Sequence, residues 1–307
     1  MSRRRWLLGA ATGAVTLVLA ALAARHFAAM SWPLTSRQPL VLVAAGFLLV
    51  LAQGLKAFGW GRLFTAAERP TLLALAAGNG GAALVGVLLP GRFDDAMRIA
   101  VVRRYPGCRA GIRVLCLSLV MLGLIDSAAI APLALAGAAL PHVGAAIRTG
   151  LALVAAAGVV AAILISLLPR LIRHRQSLRF RLGRWMSVRT TPLRRASEAW
   201  ALVSACWFVR AVAFFLLLGA LGVGYSLPLA LLFLCAGAAA AALPVGLAGA
   251  ATQIGVGGAA LVASGVGTAQ ALHVAISVGV LGVVTGTSVL VAAVVWRGAL
   301  SLRPSAA

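Results

Sequence analysis

Apolar runs of about 20 residues, the length at which a helix crosses about 30 Å of hydrocarbon, recur along this chain from one end to the other. They fall at 6–24, 40–58, 114–136, 149–168, 199–221, 228–244, 246–264 and 270–296. A ninth stretch, 72–90, is apolar but interrupted by Gly78-Asn79-Gly80-Gly81. The chain is 62% hydrophobic and only 10% charged, where soluble domains average about 25% charged. No polar stretch has the length of a separate catalytic domain. The pattern predicts an all-α, polytopic transmembrane bundle. It has about eight crossings and one or two re-entrant segments broken by Gly and Pro, in a single domain covering 1–307.

The net charge of +22 comes from 26 arginines and one lysine against five acids. A balance this basic can mark a nucleic-acid binder, but here the arginines lie between the apolar spans, the pattern that sets membrane orientation. Take the N-terminus as cytoplasmic and 72–90 as a re-entrant hairpin. Then 23 basic residues face the cytoplasm and three, Arg25, Arg37 and Arg148, face outside, with Arg210 in the membrane. The Arg-rich loops 91–113 and 169–198 are cytoplasmic, as are both termini. Making 72–90 a full crossing would put one of these loops outside. Non-helical backbone at membrane depth is tolerated where it is buried in protein or lines a wet cavity, which suits a hairpin there. Trp6, Trp32, Trp60, Trp185, Trp200 and Trp296 fall near expected interfaces as an aromatic belt; Trp207 alone lies inside a span. Gly9-x3-Gly13 and Gly282-x3-Gly286 have the spacing for close helix approach.

Two ionisable residues sit in the middle of apolar spans, Asp126 and Arg210. A charge at the bilayer centre costs roughly 2.5–3.5 kcal/mol on insertion scales, so it faces a partner, a cavity or a substrate. The expected arrangement is an Asp126–Arg210 pair. It is either a structural link between two helices or part of a polar path in which Arg210 meets a phosphate. Lys56, close to the end of its span, is expected to snorkel to the cytoplasmic interface.

Two further segments carry polar character. Leu88-Leu89-Pro90-Gly91-Arg92-Phe93-Asp94-Asp95-Ala96-Met97-Arg98 opens an amphipathic segment that ends at Arg103-Arg104. Asp94 and Asp95 precede Arg98 by helical pairing distances. They either stabilise a helix start, or the arginines form an interfacial site for an anionic headgroup, since the guanidinium fork binds phosphate bidentately. The segment 243–258 combines Pro244, several glycines, Thr252 and Gln253 between two spans. Broken segments in two halves of a chain point to a transporter site; a tight interhelical turn is the alternative. Metal-ligand clusters, nucleophile elbows and phosphate loops are lacking in the sequence, so it calls for no cofactor, no metal and no enzymatic activity. Cys108, Cys116, Cys206 and Cys235 show no metal or redox spacing.

The chain resembles the lysylphosphatidylglycerol synthase transmembrane region family of flippase-like integral membrane proteins. That family has an Asn-containing segment followed by Pro-Gly-Arg-x-Gly-Glu-x-x-Arg. Here Asn79 is followed by Pro90-Gly91-Arg92-Phe93-Asp94-Asp95-Ala96-Met97-Arg98, with Asp95 in the acid's place and Asp94 in the glycine's. Asp126 of Leu124-Ile125-Asp126 matches a family Leu-Leu-Asp, while Leu122-Gly123 replace its charged pair. In a family Pro-x-x-Pro-Gly-Gly-x-Gly-x-x-Glu pattern, Pro244 and Gly249 match, Leu247 replaces the second proline, and Ile254, beside Gln253, replaces the acid. The family's soluble aminoacyl-transfer domain has no counterpart in this sequence. The resemblance therefore implies lipid translocation rather than lipid synthesis.

The resulting expectation is an inner (plasma) membrane protein that binds and moves an anionic phospholipid or a polyprenyl-linked intermediate. Its headgroup site comprises Asn79, Arg92, Asp95, Arg98, Asp126, Arg210, Thr252 and Gln253. The alternative is an accessory membrane subunit that anchors a glycosyl- or aminoacyl-transferase partner through loop 170–195.

Overall fold

A computed structural model describes residues 34, 38–88, 93–140, 144–174, 192–242 and 250–301. Apart from Leu34 these belong to one of the two units into which the chain divides, Ser36–Ala307, the other being Met1–Thr35. The described residues are helical: α1 (Pro39–Gly61), α2 (Leu72–Leu88), α3 (Phe93–Arg104), α4 (Ile112–Ala138), α5 (Ala145–His174), α6 (Leu193–Ala220), α7 (Leu227–Ala242), α8 (Ala250–Ala263) and α9 (Thr268–Ser301).

Five segments are long and apolar enough to cross a membrane: Pro39–Gly61, Ile112–Ala138, Ile147–Leu167, Leu193–Ala220 and Thr268–Arg297. The chain is a multi-pass helical membrane protein. Its helices carry apolar residues on outer faces too: Leu40, Val43 and Phe47 on α1, and Val159, Val160 and Ile163 on α5, are exposed. A helix that is apolar all round belongs in lipid. The expected span 6–24, with Gly9 and Gly13, lies outside the described residues. The spans expected at 228–244 and 246–264 are the short helices α7 and α8, of 16 and 14 residues. At 1.5 Å per residue these reach about 24 and 21 Å, less than the hydrocarbon thickness of about 30 Å.

Two helical hairpins follow from the packing. α3 folds back along α2: a Cβ on Gly78 would lie 2.9 Å from Val102, and one on Gly81 would touch Val101 and Met97. α8 folds back along α7 in the same way. Gly257 lies under the Phe233 ring, and a Cβ on Gly237 would be 3.1 Å from the Gln253 carbonyl.

The expected interruption at Gly78-Asn79-Gly80-Gly81 is not there: α2 runs unbroken through it. Each glycine is instead a place where another helix closes in. Gly78 and Gly81 face α3, and Gly80 faces α9, where its Cβ would be 2.5 Å from the Gly286 carbonyl. Of the predicted Gly282/Gly286 pair, Gly286 makes that crossing; Gly282 faces open space. In a membrane, helices associate through such close backbone approach. Gly158 serves the same end between α5 and α4, lying under the Ser127 carbonyl and Ala131, just before Pro132.

One buried cluster joins Trp60, Leu75, Val102, Leu115, Ile125 and Val203; another joins Ala45, Leu217, Phe233, Leu261 and Val274. Trp60 belongs to the first and is fully buried. Its expected place in an interfacial belt is corrected: the indole N–H donates to Ser118 Oγ at 2.9 Å, and Ser118 donates on to the Leu115 carbonyl at 2.8 Å. Trp200 and Trp296 remain exposed.

Candidate functional site

α1, α4 and α6 bring three charged side chains into one layer. Lys56 Nζ lies 2.5 Å from Asp126 Oδ2, and the Lys56 side chain is only 10% exposed. The other carboxylate oxygen, Oδ1, accepts a hydrogen bond at 3.1 Å from Trp207 Nε1. The Arg210 guanidinium stands 5.1 Å from the Trp207 ring centroid. Trp207 and Arg210 are three residues apart on α6 and so share a face. Cys206, buried beside them, lies within electrostatic reach of Arg210, Lys56 and Asp126.

This arrangement corrects two expectations. Asp126 pairs with Lys56, not with Arg210, and Lys56 does not snorkel to the interface. The physical reason is the length of α1. It continues to Gly61, three residues beyond the span drawn from hydropathy. Lys56 is therefore more than a turn inside the helix, where a carboxylate on α4 is its accessible counter-charge. No carboxylate among the described residues is left for Arg210. Trp207 was the residue that sequence reasoning passed over, although it is the single tryptophan within a span and stands a helical turn from Arg210.

Arg210 also lies beside the second hairpin. Phe214, one turn on from Arg210, stacks on Phe233 of α7 with ring centroids 5.2 Å apart. α6 and α7 run antiparallel through the turn at 221–226, so one turn back from that contact Arg210 falls at the level of Gly237. Gly237 is in turn covered by the Gln253 backbone of α8. Gln253 is thus near the layer, by register. Thr252 is in the first turn of α8, and Arg92 and the segment 243–249 lie outside the described residues.

Asn79 is 2% exposed, and neither its amide nitrogen nor its amide oxygen has a hydrogen-bond partner. An unpaired buried amide costs about 1–3 kcal/mol by mutational measure. Arg98 is held by its own helix, 3.5 Å from Asp94 and 2.5 Å from Asp95; its Nε is buried without a partner. Either acid stands at pairing distance from Arg98 in the sequence, and in the structure both lie against it. Arg103 and Arg104 are exposed at the far end of α3. There Tyr105 donates to the Ala293 carbonyl at 3.0 Å and carries Arg297 over its ring, tying the end of α3 to α9.

The structure thus brings Asp126 and Arg210 into one layer, adds Lys56 and Trp207, and by register sets Gln253 near it. Asp95 and Arg98 form a separate group on α3. No family model, no curated protein and no solved structure matches this chain.

Proposed function

We propose that this chain is a flippase-like member of the lysylphosphatidylglycerol synthase transmembrane region family that binds an anionic lipid headgroup within the helix bundle and carries it across the inner membrane. One observation carries the reading. Arg210 lies within an apolar helix, and the nearby carboxylate is already held by Lys56 and Trp207. A guanidinium does not give up its proton in proteins. Its in-plane N–H groups match a phosphate bidentately, and its contact with Trp207 is to the ring and not to a carboxylate.

In this reading α2–α3 and α7–α8 are re-entrant hairpins entering from opposite sides, α2–α3 from the cytoplasm and α7–α8 from outside. The remaining crossings are α1, α4, α5, α6, α9 and the apolar stretch 6–24. Exchanging two crossings at 228–264 for one hairpin leaves every other loop on its side, because the chain returns to the face it left. The arginine distribution therefore supports this topology as well as it supports eight crossings. Hairpins of this kind put helix ends and irregular backbone at membrane depth, where transporters hold substrate. Arg103 and Arg104 collect the headgroup at the cytoplasmic end, Asp95 and Arg98 stand deeper on the same leg, Arg92 helps draw the headgroup in, and Arg210 receives it. Asn79, Thr252 and Gln253 supply hydrogen bonds.

The test is movement of fluorescent lipids across proteoliposome membranes. Wild type is expected to move an anionic lipid, and folded Arg210→Ala is expected to lose that movement. A wild-type rate in Arg210→Ala would remove Arg210 from the path. Failure of the wild type with every anionic lipid would overturn translocation and turn attention to a transferase partner.

A further inference from the structure

Building on the function proposed above, we infer that the charged layer is made for a headgroup bearing a single negative charge, a phosphodiester, and discriminates against phosphomonoesters and pyrophosphates. Lys56 and Asp126 cancel at 2.5 Å. Arg210 is left with one positive charge and an aromatic ring beneath it. The Trp207 N–H beside it is already spent on Asp126.

Among the described residues, no other cation is seen in contact with Lys56, Asp126 or Arg210. Arg98 is matched by Asp94 and Asp95 on its own helix, and Arg297 stands over Tyr105 where α3 ends. A second negative charge on the ligand could recruit Lys56 only by drawing it off Asp126. That exchange leaves the carboxylate uncompensated, and an unpaired charge inside an apolar bundle is what the pairing avoids. One phosphodiester charge neutralises the layer; two overfill it.

The test compares fluorescent phosphatidylglycerol, phosphatidate and phosphatidylcholine in proteoliposomes at pH 8, above the second ionisation of a phosphomonoester at about 6. Phosphatidylglycerol is expected to cross about tenfold faster than phosphatidate or more, given the penalty on an unpaired charge. Lowering the pH to 5 should narrow the gap by removing the second charge of phosphatidate. Asp126→Asn, which leaves Lys56 free and the layer with two positive charges, should shift the preference toward phosphatidate at pH 8. Arg210→Gln, which leaves a neutral layer, should lose the movement of phosphatidylglycerol and with it any preference over phosphatidylcholine; it decides the matter if Asp126→Asn does not fold. Equal or faster movement of phosphatidate by wild type at pH 8 would overturn the single-charge inference while leaving lipid translocation standing. Absence of movement for all three lipids would overturn the proposed function itself.

Discussion

Trp207 and Asp126 are joined by a 3.1 Å hydrogen bond from the indole N–H to Oδ1, and this contact sets what the rest of the layer can do. It occupies one carboxylate oxygen from α6 while Lys56 occupies the other from α1, so a single acid on α4 fastens three helices. The same indole offers its face to Arg210. One side chain thereby fixes the acid and presents the cation, and the two functions can be separated by substitution.

Removing either partner of the Lys56–Asp126 pair leaves a buried charge without compensation. Lys56→Ala and Asp126→Ala should each destabilise the folded protein by about 3–5 kcal/mol. Replacing both together, Lys56→Met with Asp126→Leu, should recover most of that loss, since a well-packed apolar pair often matches a buried ion pair. Reversible unfolding in micelles measures all three variants. A double variant as unstable as the sum of the singles would show that the two residues do not depend on one another.

Trp207→Phe retains an aromatic face for Arg210 but has no N–H for Asp126. A hydrogen bond to a charged group contributes about 1.5–3 kcal/mol, and a loss of that size is expected in the same unfolding assay. Trp207→Leu also removes the cation–π contact, about 0.5–2 kcal/mol more. In lipid movement the Phe variant should stay close to wild type and the Leu variant should fall. Equal transport by the two would show that the ring does not position Arg210.

These residues mark where the sequence was readable. Apolar run length is a one-dimensional constraint, so α1, α4, α5, α6 and α9 follow from it, with ends that differ by up to six residues. Which helices are neighbours is not encoded in run length. Asp126 and Arg210 were therefore matched because both lie at mid-span, while the true counter-charge sat near a span end that hydropathy cut short at 58. Gly78, Gly80 and Gly81 misled for a related reason. Glycine costs a helix interior about 1 kcal/mol relative to alanine, which reads as a break. Packing against α3 and α9 overrides that cost, and the signal for it, small residues spaced along one helix, exists only once the partner helix is known. Asp94, Asp95 and Arg98 were legible because their pairing is local, within one helix turn.

The Gly80–Gly286 crossing gives a prediction with an internal control. A methyl group at Gly80 would lie 2.5 Å from the Gly286 carbonyl, and one at Gly286 would lie 2.7 Å from Ala83 Cβ. Gly80→Ala and Gly286→Ala should each destabilise by about 1–3 kcal/mol, as overpacking does. Gly282→Ala, facing open space, should be neutral or stabilising by up to about 1 kcal/mol through helix propensity. Equal effects at Gly282 and Gly286 in unfolding experiments would rule out the crossing between α2 and α9.

The shortness of α7 and α8 leads to a topological prediction. If they form one re-entrant hairpin, the residues at 243–249 stop inside the membrane; if they are two crossings, the same residues emerge into the cytoplasm beside loop 175–191. A variant lacking Cys108, Cys116, Cys206 and Cys235 and carrying Ala248→Cys separates the two. Labelled from the cytoplasmic face with a membrane-impermeant maleimide, Ala248→Cys should react far more slowly than Ser187→Cys in the Arg-rich loop, because a thiol at membrane depth is shielded from water and from the thiolate-forming proton exchange that maleimide addition needs. Adding an anionic lipid that the protein moves should slow it further, since the proposed headgroup position beside Arg210 lies at the level of Gly237 on α7, the helix that leads into this segment. Rapid labelling equal to that of Ser187→Cys would replace the hairpin with two crossings and detach the tip from the Arg210 layer.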